Sequence, residues 1–375
     1  MARKQYSGIH RQIGQLLIIG FDGTEMSPQL ASLLARIQPA GVILFARNIV
    51  NAQQTHKLLR DCQAWVRETL FTCVDLEGGR VDRFRNVTGP APSAAEVFAS
   101  ANPKLFRQHG AVIGKTCRAL GFNVDFAPVL DLAFEASRKV MSSRAFSTDP
   151  KAVVRYAREF LGGLRSAGVI GSGKHFPGLG EGNLDSHHDL PVISKSLRKL
   201  WEEDLVPYRL MKRALPIVLI NHANYPSVTE DDLPASRSRK WITGILRRRI
   251  GYRGLVASDD LEMWGVLKAA PIERAAVEFI RAGGDLCLIC HQEEYIQRAF
   301  ENLAREAERD SKLRRRVLES ATRIASFKRK AATLLRPTAA PSPKKIERLS
   351  RQLWEFSEQI RLQNLSAKAS AGANR

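Results

Sequence analysis

Two groups of residues in this sequence have the types and spacing of catalytic side chains. Asp259 and Asp260 directly follow the apolar run 255–258, so either carboxylate could be held rigidly at the end of a buried strand. Asp185 and His187 lie two residues apart in the segment 178–189 (GLGEGNLDSHHD), whose first five residues include three glycines. A carboxylate that hydrogen-bonds an imidazole fixes its tautomer and raises its pKa. The sequence thus offers a carboxylate nucleophile and a pair that transfers protons near neutral pH.

The same residues also have non-catalytic interpretations. Asp259 or Asp260 could instead cap a helix that begins near Leu261. His187 and the adjacent His188 could bind a metal ion, or their segment could be a solvated polar turn. Adjacent histidines rarely chelate one ion well, and neither an HExxH motif nor a thiolate partner accompanies them. We therefore expect no metal at this site.

Eight short apolar runs alternate with longer amphipathic stretches, and these elements must position the candidate residues. The runs cover residues 15–21, 41–45, 70–74, 122–126, 170–175, 217–220, 255–258 and 286–289. Strands separated by helices predict parallel β–α–β units, and eight such strands close a barrel. The fold class predicted is therefore α/β, a TIM-like (β/α)8 barrel, and an open doubly wound sheet is the alternative.

Polar and ionisable residues follow five of the eight runs. In a (β/α)8 barrel the carboxyl ends of the strands converge on one mouth, where active sites are built. The residues expected there are Asp75 and Arg83 after the third run, Asp131 after the fourth, Lys174 and His175 at the end of the fifth, Asn221 and His222 after the sixth, and Asp259 after the seventh. Carboxylates accept hydrogen bonds from sugar hydroxyls, and Lys and Arg donate to sugar oxygens. This repetition indicates an enzyme that acts on a sugar.

Five motifs, in order along the chain, resemble those of bacterial β-N-acetylhexosaminidases of glycoside hydrolase family 3. They are residues 41–48 (GVILFARN), 74–83 (VDLEGGRVDR), 173–178 (GKHFPG), 185–187 (DSH) and 258–263 (SDDLEM). The resemblance extends from about residue 12 to 330. It implies that Asp259 is the nucleophile of a retaining mechanism and that His187 is the acid/base oriented by Asp185. It further implies that the sugar is bound by Asp75, Arg83, Arg144, Lys174 and His175, without a cofactor.

The resemblance also implies a physiological role. Single-domain members of the family are cytoplasmic exo-enzymes that remove terminal N-acetylglucosamine from recycled cell-wall muropeptides, and the glycine-rich segment would carry Asp185 and His187 over the bound sugar. Two motifs depart from the family pattern: the usual HGDT reads LGEG at residues 179–182, and GxRSF reads SSRAF at 142–146. A β-glucosidase or a phosphorylase of the same family stays an alternative. The family's glucosidases usually take their acid/base from a second domain, which we do not expect here.

The charge of the chain favours a different class of function. With 58 Lys and Arg against 38 Asp and Glu, the formal charge is +20, which suggests nucleic acid or an anionic surface as a partner. A barrel that binds nucleic acid is therefore the alternative from outside the enzyme class. Basic runs such as 247–249 and 314–316 are typical of solvated helix faces, however, and no RNP, KH or zinc-finger signature is present. We expect no specific nucleic-acid partner.

Composition, cysteines and the chain ends complete the expectations. A hydrophobic content of 44% excludes a disordered chain, and the five cysteines have no disulfide spacing, so we expect reduced thiols in the cytoplasm. Residues 287–291 (CLICH) match a haem-attachment pattern, but a strand would direct Cys287 and Cys290 to opposite faces. No apolar run is long enough to span a membrane. We expect a monomer with a barrel domain over residues 1–335, followed by a Pro-containing linker and basic tail over 336–375 with one short helix.

Overall fold

The computed structural model describes residues 8–182, 190–229 and 233–373, with side chains described up to residue 366. The strands in these ranges are β1 (Leu17–Ile19), β2 (Gly41–Ile43), β3 (Phe71–Val74), β4 (Leu76–Gly78), β5 (Val81–Asp82), β6 (Val124–Asp125), β7 (Ser172–Phe176), β8 (Ile217–Ile220), β9 (Leu255–Asp260) and β10 (Leu286–Ile289). Eight of them form one parallel sheet in the order β6-β3-β2-β1-β10-β9-β8-β7. Strands β4 and β5 pair antiparallel as a separate hairpin.

The two outer strands of the sheet meet, so the sheet closes on itself. Val124 and Ile170 form a parallel bridge between the β6 and β7 segments, and Val129 and Lys174 form another. The Ile170 N–H donates to the Asn123 carbonyl at 2.9 Å across this junction. The predicted (β/α)8 barrel is confirmed, and the open doubly wound alternative is wrong.

Helices surround the barrel. They are α1 (Gly8–Gly14), α2 (Pro28–Ile37), α3 (Ala52–Ala64), α4 (Arg85–Thr88), α5 (Ala94–Ala99), α6 (Pro103–Leu120), α7 (Arg138–Met141), α8 (Pro150–Ser166), α9 (Leu197–Glu202), α10 (Val206–Met211), α11 (Pro226–Thr229), α12 (Trp264–Ala269), α13 (Ile272–Ala282), α14 (Glu293–Arg309), α15 (Ser311–Lys330) and α16 (Pro343–Ala373), with a π-helical segment at Lys240–Ile250. Capping explains several starts: the side chains of Ser27, Asn51 and Asp149 accept backbone N–H groups of the following turn. None of these helices, within the described ranges, is long and apolar enough to cross a membrane.

The apolar strands are buried on both faces. Every residue of β1, β2, β3, β8 and β10 is buried, because one face packs in the barrel interior and the other packs against helices. The two cysteines of the last strand segment show this alternation. The Cys287 Sγ lies 4.0 Å from the Ala276 carbonyl of α13, whereas Cys290 lines the cavity at the barrel mouth. The two thiols therefore lie on opposite sides of the strand, as expected.

The chain beyond residue 336 differs from the solvated tail with one short helix that the sequence suggests. Helix α16 has 31 residues and packs against α4, α5 and α6. Leu349, Leu353, Phe356 and Ile360 are each 5% exposed or less, and their spacing of four, three and four residues puts them on one helix face. This narrow apolar seam attaches the tail to the barrel domain.

A buried histidine beneath α16 makes stability depend on pH. Burial lowers the pKa of His109 to about 3, against about 6.5 in an unfolded chain. Because only the unfolded state then binds the proton, stability is expected to fall as pH drops from 6.5 towards 3, by up to about 1.4 kcal/mol per pH unit. Urea unfolding of wild type and His109→Gln across this pH range separates the contribution of His109 to the free energy of unfolding from that of the carboxylates. Parallel stability curves for the two proteins would contradict the expectation.

Candidate active site

A cavity of about 340 Å³ opens at the carboxyl ends of the barrel strands. Its polar lining consists of Asp75, Glu77, Arg80, Arg83, Arg144, Lys174, His175, Asp259, Asp260 and His291. The structure thus brings together the five residues predicted to bind sugar and the predicted nucleophile. Asp185 and His187, the predicted proton-transfer pair, lie outside the described residues. The carboxyl-end mouth of the barrel is therefore the candidate site.

Lys174 is the centre of a buried ion network in this cavity. Its Nζ lies 2.7 Å from the Asp75 Oδ1 and 2.6 Å from the Glu77 Oε1, and the side chain is 3% exposed. Arg144 forms a two-pronged pair with Glu77, at 2.7 Å from Nε and 2.8 Å from Nη2. Burial alone would lower the pKa of Lys174, but the two carboxylates raise it above its ordinary value. Lys174 is therefore a charged ammonium that the two carboxylates hold in the cavity wall.

Glu77 was not among the residues predicted from the sequence to bind sugar. It lies on the hairpin strand β4. The Leu76 N–H of the same strand donates to the Asp125 Oδ1 at 2.9 Å, which fixes the strand against β6. Burial raises the pKa of Glu77, but Arg144 and Lys174 outweigh burial and hold that pKa far below its ordinary value. Gly78 follows with φ of 81°, and a Cβ there would lie 2.1 Å from the Pro92 carbonyl. The glycine after Glu77 was the sequence signal that could have located this turn.

Removing the Glu77 carboxylate is expected to destabilise the fold. Glu77→Ala leaves the buried Lys174 and the half-buried Arg144 without their shared partner, and breaking a buried pair costs about 3–5 kcal/mol of unfolding free energy. Chemical denaturation at pH 7 measures the loss. Glu135→Gln is the matched control, because Glu135 and its partner Arg138 are both exposed and their pair contributes little. Equal unfolding curves for Glu77→Ala and Glu135→Gln would contradict the buried network as a stabilising element.

His175 is held by Asp131 in one orientation. The His175 Nδ1 lies 2.6 Å from the Asp131 Oδ2, and the other carboxylate oxygen accepts the Leu179 N–H at 2.7 Å. The carboxylate can only accept, so Nδ1 carries the proton, and Nε2, 3.3 Å from the Arg144 Nη2, is left as an acceptor. The Lys174–His175 peptide bond is cis. Asp131, expected at the barrel mouth without a role, proves to be the residue that orients His175.

Asp259, the predicted nucleophile, lies at the end of β9 and lines the cavity. It is the penultimate residue of β9, and its Oδ1 accepts the Asp260 N–H at 2.9 Å. Burial raises the pKa of Asp259, but His175, His222 and Lys174 outweigh burial and lower it overall. The carboxylate is therefore ionised at neutral pH and lies in the cavity lining. An ionised, rigidly held carboxylate can attack an electrophilic carbon.

Neither aspartate caps a helix: α12 begins at Trp264, its N-cap position is Met263 without a side-chain cap, and Asp260 instead stabilises the turn that follows β9. Its Oδ1 accepts the Glu262 N–H at 3.0 Å at the start of the turn after β9, and its Oδ2 lies 3.3 Å from the His291 Nε2. The His222 Nε2 lies 3.0 Å from the Asp260 carbonyl, so that histidine holds the strand end. Burial lowers the pKa of His222 below its ordinary value. The Asp260 carboxylate is thus engaged by both the turn and His291.

The rim of the cavity combines aromatic rings and cations. The ring of His291 stacks on that of Phe45 with centroids 5.4 Å apart, and the Arg83 guanidinium lies 5.6 Å from the Phe45 centroid. Arg47 lies 4.7 Å from the same ring. Sequence reasoning missed His291, whose available signal was its position directly after the last strand. This rim can contact the part of a ligand that extends beyond the deep network.

Comparison with known proteins identifies the family. Residues 8–327 match the family model described as the glycosyl hydrolase family 3 N-terminal domain. This chain belongs to glycosyl hydrolase family 3. A β-hexosaminidase of Bordetella avium is 38% identical to this family 3 chain over 296 residues, which cover 77% of the chain and 84% of that protein. A β-hexosaminidase of Haemophilus influenzae is 32% identical over 318 residues, covering 80% and 90%.

Solved structures of family 3 proteins have the same barrel. The structure of a glycoside hydrolase family 3 β-N-acetylglucosaminidase from Paenibacillus sp. FPU-7 aligns with a TM-score of 0.85 at 31% identity, and covers 93% of this chain and 68% of that one. This chain is thus a glycoside hydrolase, and the resemblance noted from its motifs is confirmed. Within the described ranges, no cluster of three or more His, Cys, Asp or Glu side chains could hold a metal ion.

Proposed function

We propose that this family 3 glycoside hydrolase is a retaining exo-β-N-acetylglucosaminidase that acts on peptidoglycan fragments in the cytoplasm. The observation that carries the proposal is the ionised Asp259 in a cavity whose wall is the Lys174 network. Relatives that are 32–38% identical over most of the chain are named β-hexosaminidases, which supports the same activity.

The proposed reaction has two steps. In the first, an Asp259 oxygen attacks the anomeric carbon while His187 protonates the departing oxygen, so the glycosidic bond breaks and a glycosyl–Asp259 ester forms. In the second, His187 takes a proton from water, whose oxygen attacks the same carbon and releases Asp259. Asp185 would raise the pKa of His187 by hydrogen-bonding the imidazolium, so that this histidine can act first as the acid and then as the base.

The deep network would bind the terminal sugar. The Lys174 ammonium donates one hydrogen bond to Asp75 and one to Glu77, and its third N–H remains for a sugar hydroxyl. Asp75 can accept from a hydroxyl with its remaining lone pairs, and the His175 Nε2, not used by Asp131, is a further acceptor. The cavity volume of about 340 Å³ is at the small end for ligand pockets, which suits one terminal residue. That size supports an exo mode of action.

Two assays test the proposal. The enzyme should release nitrophenol from the N-acetyl-β-glucosaminide much faster than from the β-glucoside, and NMR of the first product should show the β-anomer. An α-anomer as the first product would contradict retention, and preference for the glucoside would favour the β-glucosidase alternative. Mass spectrometry of a digested, defined muropeptide should show loss of one N-acetylhexosamine from the non-reducing end.

Phosphorolysis is a second candidate, favoured by the cations Arg80 and Arg83 in the cavity lining. A histidine acid/base does not repel an incoming phosphate as a carboxylate would, so phosphate could replace water in the second step. Turnover with and without phosphate distinguishes the two reactions. Formation of the sugar 1-phosphate, with a rate that rises with phosphate concentration, would make the enzyme a phosphorylase.

A further inference from the structure

Helix α16 lies beyond the residues 8–327 that match the family and packs on α4, α5 and α6. Its Phe356 is 1% exposed and stacks on the ring of His109 in α6, with centroids 5.8 Å apart and an interplanar angle of 25°. His109 is fully buried, and its Nδ1 lies 2.7 Å from the Tyr156 hydroxyl in α8. A continuous line of ring contacts therefore extends inward from the tail helix.

The inner end of this line lies beside the Glu77–Arg144 pair. A Cβ on Gly78, the residue after Glu77, would lie 3.5 Å from the His109 Nε2, so the histidine packs directly behind the hairpin. Glu77, Arg144 and Tyr156 line one void of only about 10 Å³, which is close to the minimum that holds a water molecule. Tight packing of this kind transmits displacements, because no free volume absorbs them.

A second set of contacts connects α16 to the same pair through α5. The Asn364 Nδ2 donates to the Glu96 carbonyl at 2.9 Å. In the same first turn of α5, the Ala95 N–H donates to the carbonyl of Ser143, the residue before Arg144, at 3.2 Å. The ring of Phe146, two residues after Arg144, packs on Tyr156 with centroids 4.7 Å apart. The backbone on both sides of Arg144 thus depends on elements that α16 covers.

We propose that Phe356, acting through His109 and Tyr156, is a positioning residue that sets the Glu77–Arg144 pair for sugar binding. The inference rests on the proposed function and adds the tail helix to the parts that determine substrate affinity. Asp259 lies on β9, and its Oδ1 accepts the Asp260 N–H, so the nucleophile itself is not held by this line of contacts. Loss of Phe356 therefore weakens binding more than chemistry.

Kinetics of Phe356→Ala and Tyr156→Phe test the proposal. Phe356→Ala is expected to raise KM for the N-acetyl-β-glucosaminide about five- to tenfold with kcat within about twofold, the pattern of lost uniform binding. Tyr156→Phe removes only the hydroxyl bonded to His109 and should raise KM in the same direction by a smaller factor. Phe356→Leu, which refills most of the volume, should restore most of the affinity.

Leu349→Ala is the matched control. Leu349 is buried on the same face of α16, about 10 Å further along its axis, so its loss weakens helix attachment away from His109. Leu349→Ala should lower the melting temperature and leave KM unchanged. Equal rises in KM for Leu349→Ala and Phe356→Ala, or an unchanged KM in both Phe356→Ala and Tyr156→Phe, would overturn the proposal. A wild-type enzyme inactive on N-acetyl-β-glucosaminides would instead refute the proposed function, and calorimetric binding of N-acetylglucosamine to the same variants would still test the positioning role.

Discussion

Asp259→Ala is expected to reduce kcat by roughly 10⁴-fold or more, the order seen when a catalytic nucleophile is removed. The reason is that no other side chain of the described site can take its place. Lys174 engages Asp75 and Glu77, and Asp260 caps the turn after β9. Steady-state release of nitrophenol from the N-acetyl-β-glucosaminide measures the loss.

The adjacent aspartate is the matched control for Asp259. Asp260→Asn keeps a side-chain oxygen that can accept the Glu262 N–H, so the turn should persist and kcat should stay within about tenfold of wild type. Asp259→Asn should still bind N-acetylglucosamine, which would show that the loss lies in the chemical step. If Asp260→Asn were inactive and Asp259→Ala active, Asp260 rather than Asp259 would be the nucleophile, which would contradict our assignment.

His187→Ala is expected to slow hydrolysis of a disaccharide by roughly 10² to 10⁴, the range of general acid–base contributions. A sugar leaving group must be protonated as it departs, whereas nitrophenolate leaves without a proton. The first step with the nitrophenyl substrate should therefore be much less affected than the first step with the disaccharide. Pre-steady-state release of nitrophenol, compared with the disaccharide rate, measures this difference.

His188→Ala is the matched control for the acid/base assignment, because it removes an identical side chain at the next position. It should change the disaccharide rate by less than about tenfold, far below the acid–base range. Azide, a nucleophile that needs no general base, should accelerate His187→Ala and leave wild type unchanged. A larger loss in His188→Ala, or equal losses of His187→Ala on both substrates, would contradict the assignment.

The barrel could be predicted from the sequence because its strands are buried on both faces. Such strands appear as short continuous apolar runs: six of the eight runs contain a whole barrel strand, and runs 170–175 and 255–258 overlap β7 and β9. The same topology brings the ends of the runs together, so Asp75, Lys174, His175 and Asp259 could be grouped without knowing any contact. Periodicity and fold rules were sufficient for this part.

The partners within the site could not be predicted in the same way. Glu77 lies on a two-stranded hairpin outside the barrel pattern, and its partner Arg144 is 67 residues away, so neither spacing nor periodicity connects them. The orienting role of Asp131 likewise depends on a contact with His175, 44 residues away. Such pairings are set by the tertiary structure alone.

The length of α16 and the surface on which it packs also could not be predicted from the sequence pattern. Its exposed face carries Trp354, Leu362 and Leu365 among charged residues, so the apolar seam of four residues does not stand out. The surface that receives the seam is formed by α4, α5 and α6, which are separated from it by more than 200 residues. A helix of this kind is defined by its partner surface rather than by its own composition.

Trapping the glycosyl-enzyme tests the central claim most directly. A fluorinated N-acetylglucosaminide with an activated leaving group, which slows the second step more than the first, should inactivate the enzyme. Mass spectrometry of the intact protein should then show one added fluorinated N-acetylhexosaminyl group, and peptide mapping should place it on Asp259. An adduct on Asp260 or Asp75, or no adduct together with an inverted first product, would contradict the account.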